Sequence, residues 1–407
     1  MSMENIKNQL NEFLSDDELL EALMVLPEYK KGLKSKTDRL MALLDIYKIF
    51  IPNKASIDIY NRLYLALINS LDKKESIFER TLMNDNFRSI KKLKRYGVIG
   101  GLDSFKITGH AGLGKTTCIQ RCSEVITERS VLISDNPYRE IIPFIIVECT
   151  ADGSFKSLLY NILQEVDLRL GTSFFVSNKH NTTTVDVLLA AVSNVLINHV
   201  AVLIIDEIER VANESRKGEI LINFLTQLVN QSNVTVVFVG NDSSNKYFES
   251  REYLSRRTLG VSITKMEYDE SFFNFCRILF KYQYTLTHID FYSEHARILY
   301  KLSNGSPSVL VSLFVEAQKR AIIYGNERLD ELTFESTFSD IFSNMISYSN
   351  VGRNNKINTY EPKAIRDNKS LEITTSEISF ENILKLTDKD ISKMLSIMSE
   401  HIAIEYV

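Results

Sequence analysis

Little in this sequence marks it for export, for a membrane or for a disulfide scaffold. Its 407 residues include four cysteines, Cys118, Cys122, Cys149 and Cys276, with no CxxC pair and no metal-ligand spacing among them. That pattern excludes a disulfide-stapled fold and implies reduced thiols. Only 6 Pro and 15 Gly are present, too few for a collagen-like or low-complexity chain. No apolar run approaches the roughly 18 to 20 residues that cross a bilayer; stretches such as Ile141-Ile-Pro-Phe-Ile-Ile-Val147 fall far short. The opening Met-Ser-Met-Glu-Asn-Ile-Lys carries no apolar segment behind its charges. A soluble, cytoplasmic protein without membrane contact is therefore expected. An excess of positive charge is also missing: 48 Lys+Arg against 52 Asp+Glu gives a net −4. No global field pulls a monomer onto a polyanion, so a nucleic-acid site has to be local or assembled by oligomerisation.

What is present is an ordinary globular composition, 44% hydrophobic and 25% charged, long enough for two or three cores. Pattern divides it into four regions. Residues 1–100 carry apolar positions at helical spacing, as in Leu40-x-x-Leu43-Leu44-x-x-Tyr47, punctuated by Pro27 and Pro52. Residues 101–267 alternate helical stretches with short β-branched runs, Phe105–Thr108, Phe144–Val147, Ala201–Ile205 and Val234–Val239. That alternation is the signature of an α/β core with a covered parallel sheet. Residues 268–345 return to helical period, broken at Asn304-Gly-Ser-Pro307, and residues 346–407 form a polar linker and tail suited to docking a partner.

The strongest motif is Gly109-His110-Ala111-Gly112-Leu113-Gly114-Lys115-Thr116-Thr117, a G-x-x-x-x-G-K-[ST] loop between a strand and a helix. Its glycines let backbone N–H groups approach a phosphate, and the helix that follows adds its positive end. Lys115 would set a point charge on the β/γ oxygens of ATP, and the Thr116 hydroxyl would take a Mg²⁺ position. Val202-Leu-Ile-Ile-Asp206-Glu207 then delivers two carboxylates from a buried strand, Asp206 for Mg²⁺ and Glu207 to polarise a water. Glu207 could alternatively serve only as a favourable charge at the start of the next helix. Asn241, after the run ending at Gly240, could contact the γ-phosphate or the attacking water, though an ordinary strand-ending turn explains the same residues. Arg256 and Arg257 lie too far along the chain to serve the same loop in cis. They are candidates for an arginine finger in trans, with a solvated helix face as the alternative.

These residues resemble the AAA+ ATPases and, within them, the TnsC/TniB group of transposition regulators. Four stretches carry the resemblance: Leu26-Pro27 with Arg39-Leu40 and Phe50-Ile-Pro52; the glycine loop; Leu203-Ile-Ile-Asp206-Glu207-Ile with Asn223-Phe224-x-x-x-Leu228-x-Asn230; and Leu299-Tyr-x-Leu302-Ser-Asn-Gly305-Ser-Pro307. The resemblance implies an AAA+ P-loop core with a C-terminal helical lid and an N-terminal helical extension. It also implies ATP and Mg²⁺ as ligands and a homo-oligomeric ring or filament on double-stranded DNA. The expected partners are a TniQ/TnsD-like target-selection protein and a TnsA/TnsB-like transposase, on the bacterial nucleoid. By position, Lys156 and Thr172 would face DNA phosphates, although a solvated lysine and a helix cap are the favoured account of each. The competing expectation is an initiator-like or STAND-type signalling ATPase that switches protein assembly without transposition.

Overall fold

The computed structural model describes residues 4–86, 104–135, 138–150, 154–180, 183–212, 234–245 and 260–342. In chain order the first elements are α1 (Glu4–Lys7), α2 (Asp16–Leu23), α3 (Lys36–Ile46), α4 (Lys54–Asn86), β1 (Ser104–Thr108), α5 (Lys115–Ile126), β2 (Leu132–Asp135) and β3 (Tyr138–Glu148). They continue with α6 (Phe155–Leu170), α7 (Phe174–Asn178), α8 (Val185–His199), β4 (Val200–Asp206), α9 (Glu209–Ala212), β5 (Thr235–Gly240) and β6 (Val261–Ser262). Four helices close the described chain: α10 (Glu270–Leu279), α11 (Ser293–Ser303), α12 (Pro307–Tyr324) and α13 (Glu331–Thr337). Two compact units result, residues 1–13, 55–111 and 115–263 in one, and 14–54, 112–114 and 264–407 in the other. The first hundred residues are thus divided between them.

The first unit is built on a six-stranded sheet in the order β2-β3-β4-β5-β1-β6. Every pairing is parallel except that of β2 with β3. All seven positions of β4 and all six of β5 are buried, which is why their sequences run apolar without alternation: central parallel strands have no wet face. Periodicity predicts neither β2 nor β6. Leu132-Ile-Ser-Asp135 is short and mixed in polarity, and β6 has two residues, so each depends on its neighbour for its existence. Helix α6 buries Leu158, Leu159, Ile162, Leu163 and Val166 on one stripe, starts on the Ser154 hydroxyl and stops at Gly171 (φ 67°). With α8 it packs against β3 to form the main apolar cluster. Helix α4 is tied in by a buried cation: Lys74 Nζ donates to the carbonyls of Leu196 (3.0 Å) and Ile197 (2.5 Å) in the last turn of α8. Burial pushes the Lys74 ammonium down to about 7.

The second unit is helical, and its core runs from Ala42, Leu43 and Ile46 of α3 to Phe272, Leu299, Phe314 and Phe334. Residues 14–54 belong here because their polar anchors do. Val25 and Phe50 form an isolated antiparallel bridge, and the Tyr282 hydroxyl donates to the Pro27 carbonyl (2.8 Å). Arg39, 3% exposed, grips Glu327 through both terminal nitrogens (2.7 and 2.8 Å) and donates also to the Tyr284 carbonyl (2.9 Å). Gln318 is fully buried, accepting from Tyr284 N (2.7 Å) and donating to the Tyr282 carbonyl (3.0 Å). Among the described residues no helix is long and apolar enough to cross a membrane.

Removing one partner from a buried, bidentate pair strands the other charge. Arg39→Ala is expected to destabilise the helical unit by about 3 kcal/mol, read by urea denaturation followed by circular dichroism. The pH dependence has a definite sign. The Arg39 guanidinium holds Glu327 below its ordinary value of 4.5. The pair's contribution is therefore complete above that value and is lost as pH falls through the lower value of the folded state. Arg39→Ala should remove this acid-side loss; an unchanged acid limb would show that Glu327 is not its source.

Candidate nucleotide site

The sheet brings its chemistry to one edge. Thr108 at the end of β1 is level with Gly240 at the end of β5, and Glu148 of β3 is level with Asp206 of β4. In open α/β sheets ligands bind beyond these carboxyl ends. From β1 the chain enters the glycine loop and then α5, whose first residue is Lys115. Gly109 has φ 153°, and a Cβ there would lie 2.4 Å from the Ile263 carbonyl oxygen, so no other residue fits between β1 and the segment after β6. Gly112 and Gly114 take φ 78° and 79°, curling the loop in a conformation that L side chains disfavour. Leu113 is buried, whereas His110, Ala111, Gly112 and Thr117 are exposed. His110 Nε2 lies 3.3 Å from an Asp242 carboxylate oxygen, a neighbour that motif spacing does not reveal.

Lys115 folds back over the loop, its Nζ donating to the carbonyls of Gly109 (2.7 Å) and His110 (3.0 Å). Burial lowers its proton affinity, while the carboxylates of Glu209, Asp206 and Asp242 pull it back up. Beside it the Thr116 hydroxyl donates to Asp206 Oδ2 (2.5 Å), and the other oxygen of Asp206 accepts from Glu207 N (2.7 Å). Asp206 is 3% exposed, and burial pushes its carboxyl up against the opposing pull of Thr116, Lys115 and Arg210. A hydroxyl and a buried carboxylate in contact, below a loop and a helix start that favour anions, fit a nucleotide phosphate with a divalent cation. Thr116 and Asp206 are the residues that would hold the cation. When bound, Mg²⁺ supplies charge neutralisation at the phosphate oxygens.

Glu207 stands at φ 54°, a left-handed conformation that a non-glycine residue seldom takes without a local reason. Its carboxylate pairs with Arg210, one turn on, and Arg210 donates to the Cys149 carbonyl (2.9 Å) at the end of β3. To polarise a water, Glu207 has to exchange that partner. Asn241 caps the 3-10 turn Asp242–Ser244; its Oδ1 accepts from Ser243 N (3.0 Å) and Ser243 Oγ (2.6 Å). The amide nitrogen is thus the end that could donate to a γ-phosphate.

The family model described as an AAA domain matches residues 102–248, the span from β1 through the β5 turn. This is an AAA+ P-loop fold. The glycine loop, Asp206 and Asn241 all lie within the matched span. Resembling solved structures include a Walker-type ATPase of Pyrococcus abyssi, 14% identical, with TM-score 0.41 over 60% of this chain and 69% of that one. Others are the ADP form of the ORC2 protein of Aeropyrum pernix (16%, TM-score 0.41, 58% of this chain and 62% of that one) and Drosophila ORC bound to DNA (12%, TM-score 0.46, 83% and 76%). No curated protein matches the chain in sequence.

Two of the expected residues lie in and just after α6. Lys156, in the first turn of α6, donates through Nζ to the Thr183 carbonyl (2.8 Å). The Thr172 hydroxyl donates to Asp167 (2.6 Å), which also accepts from Phe174 N and Phe175 N and so closes the turn after α6. Arg256 and Arg257 fall outside the described residues, as do the 223–230 stretch and residues 346–407. Cys118 and Cys122 face each other at 4.0 Å in the buried side of α5, as core residues do.

Lys115→Ala should weaken binding of an ATP analogue by about 100-fold or more, equivalent to about 3 kcal/mol for a charged partner to phosphate. Equilibrium binding with a fluorescent analogue measures it, and intact affinity would remove Lys115 from the site. Thr116→Val should instead spare metal-free nucleotide binding and abolish its enhancement by Mg²⁺.

Proposed function

We propose that this protein is an ATP-hydrolysing regulator of DNA transposition of the TnsC/TniB type. In this reading the ATP-bound chains assemble as a ring or filament on double-stranded target DNA, without regard to sequence. They couple a TniQ/TnsD-like selector to a TnsA/TnsB-like transposase, and hydrolysis times disassembly. The observation that carries the ATPase part is the Thr116–Asp206 contact beneath the glycine loop, with Glu207 next in the chain. Lys115 would hold the β/γ oxygens, Asp206 and Thr116 the cation, Glu207 the attacking water and Asn241 the γ-phosphate. The trans arginine would come from Arg256 or Arg257 of a neighbouring copy. The transposition part rests on the sequence resemblance set out above.

A second reading has an observation in its favour. Both residues aimed at DNA by position, Lys156 and Thr172, are engaged inside the α/β unit, and the net charge of −4 gives a monomer no basic footprint. An initiator-like or STAND-type ATPase, switching protein assembly, uses the same nucleotide site and needs neither residue for DNA.

Electron microscopy of the protein with duplex DNA and a non-hydrolysable ATP analogue, beside an ADP sample, separates the two. The transposition reading expects rings or filaments on DNA with the analogue alone; assemblies indifferent to DNA would replace it with the signalling reading. Glu207→Gln should reduce turnover by about 100-fold while retaining ATP and the assembled state. Normal hydrolysis in that variant would take the water-orienting role away from Glu207.

A further inference from the structure

The turn after β5 is braced from the helix after β4. Glu209, the first residue of α9, is half-buried, and its Oε2 accepts a hydrogen bond from the backbone N of Asn241 (3.2 Å). The two strand ends are still in contact where Glu209 leaves the chain, because Ile208 N donates to the Val239 carbonyl (3.1 Å). Gly240 leaves room for the brace: a Cβ at that position would lie 2.8 Å from Glu209 Oε2 and 2.8 Å from Ile208 Cγ2. From the other side, Ser243 holds the Asn241 side-chain oxygen, and Ser244 donates to the Asn241 carbonyl through Oγ (2.6 Å) and N (3.0 Å). Asn241 is thus fixed at three points, and one of the three comes from the helix that follows Asp206 and Glu207.

We infer that Glu209 is a positioning residue for Asn241, holding its amide nitrogen at the height where the γ-phosphate would sit. The inference rests on the ATP-hydrolysis reading above. Nucleotide affinity comes mainly from the glycine loop and Lys115, which Glu209 does not build. The Glu209 carboxylate also acts at longer range on Lys115, so the placement effect is read between Glu209→Ala and Glu209→Gln, which remove that charge alike and differ in whether an acceptor oxygen faces Asn241 N; between them the rate of hydrolysis changes and ground-state binding does not. Losing the carboxylate leaves a part-buried N–H without its acceptor and lets the turn relax, and displacements on the order of 1 Å cost large factors in rate.

The test uses the full chain, phosphate release for turnover and a fluorescent ATP analogue for affinity. Glu209→Ala should lower kcat about tenfold or more relative to Glu209→Gln, with the same Kd in both. Glu209→Gln, which keeps an acceptor oxygen for Asn241 N, should retain most of the rate and serves also if the alanine variant fails to fold. Glu209→Ala placed on Asn241→Ala should cost nothing further, since residues acting through one another are not additive. The inference is overturned by equal kcat in Glu209→Ala and Glu209→Gln, by a rate difference between them matched by an affinity difference, by a Gln variant as slow as Asn241→Ala, or by full additivity in the double variant. Absence of ATP turnover in the unmodified protein would overturn the hydrolysis reading itself and this inference with it; turnover without a Glu209 effect overturns this inference alone.

Discussion

Asp206 is 3% exposed, and a carboxylate taken so far out of water stays charged only if its surroundings replace the lost hydration. The rest of the site is arranged around that requirement. The Thr116 hydroxyl covers one oxygen and the Glu207 N–H the other, with Lys115 and Arg210 acting at longer range. Meeting it takes three separate parts of the sequence: the β1 loop must deliver Thr116, β4 must end at the same level, and the backbone must turn sharply so that Glu207 N points back. The positive φ of Glu207 belongs to that turn. Burial still wins in part, since the net effect on Asp206 is upward. A divalent cation answers the remaining deficit better than any further hydrogen bond in the site.

Four carboxylates, Asp206, Glu207, Glu209 and Asp242, stand around a loop proposed to take a triphosphate, and Lys115 and Arg210 are the nearby permanent cations named in these contacts. Two like unit charges 4 Å apart repel by about 4 kcal/mol at an effective dielectric near 20. Several such pairs would cancel what backbone N–H groups and a helix end can offer an anion. For the proposed triphosphate, a divalent cation, which Thr116 and Asp206 would hold, would offset that repulsion. The acidic edge also explains why Lys115 rests on two loop carbonyls, a position that keeps its charge near the acids until phosphate oxygens replace those carbonyls.

How much of this was legible in the sequence follows from how local each feature is. The glycine loop and the apolar run into Asp206-Glu207 are short-range patterns whose physics is contained in their own residues, and the structure has them where spacing put them. Strands β2 and β6 left no trace because each borrows its order from a neighbour. Arg210 and Glu209 were missed for a different reason: charges one turn apart after a buried strand look like a solvated helix start, and only the return of β5 beside β4 shows what they touch. Lys74 reads as a surface lysine of α4 until α8 ends against it, 122 residues away. Arg39 finds Glu327 at a separation of 288 residues, so the membership of residues 14–54 in the helical unit could not be read from helical period. Spacing likewise does not show the partners that the folded loops give Lys156 and Thr172, the Thr183 carbonyl and Asp167.

The Glu207–Arg210 pair bears on how hydrolysis could be timed. It looks like a lock, since Arg210 is fastened to the Cys149 carbonyl and approaches Glu148 at 3.9 Å. Its exposure argues otherwise: the two side chains are 37% and 38% accessible. Ion pairs so open to water contribute about 0 to 1 kcal/mol, whereas a barrier that slowed turnover even a hundredfold would need about 2.7 kcal/mol. Arg210 therefore gives Glu207 a resting place without holding it there. Any substantial delay has to come from a costlier step, and the proposed arginine from a second copy would be one. On these magnitudes a timer, if the proposed hydrolysis is one, is not set by the Glu207–Arg210 pair.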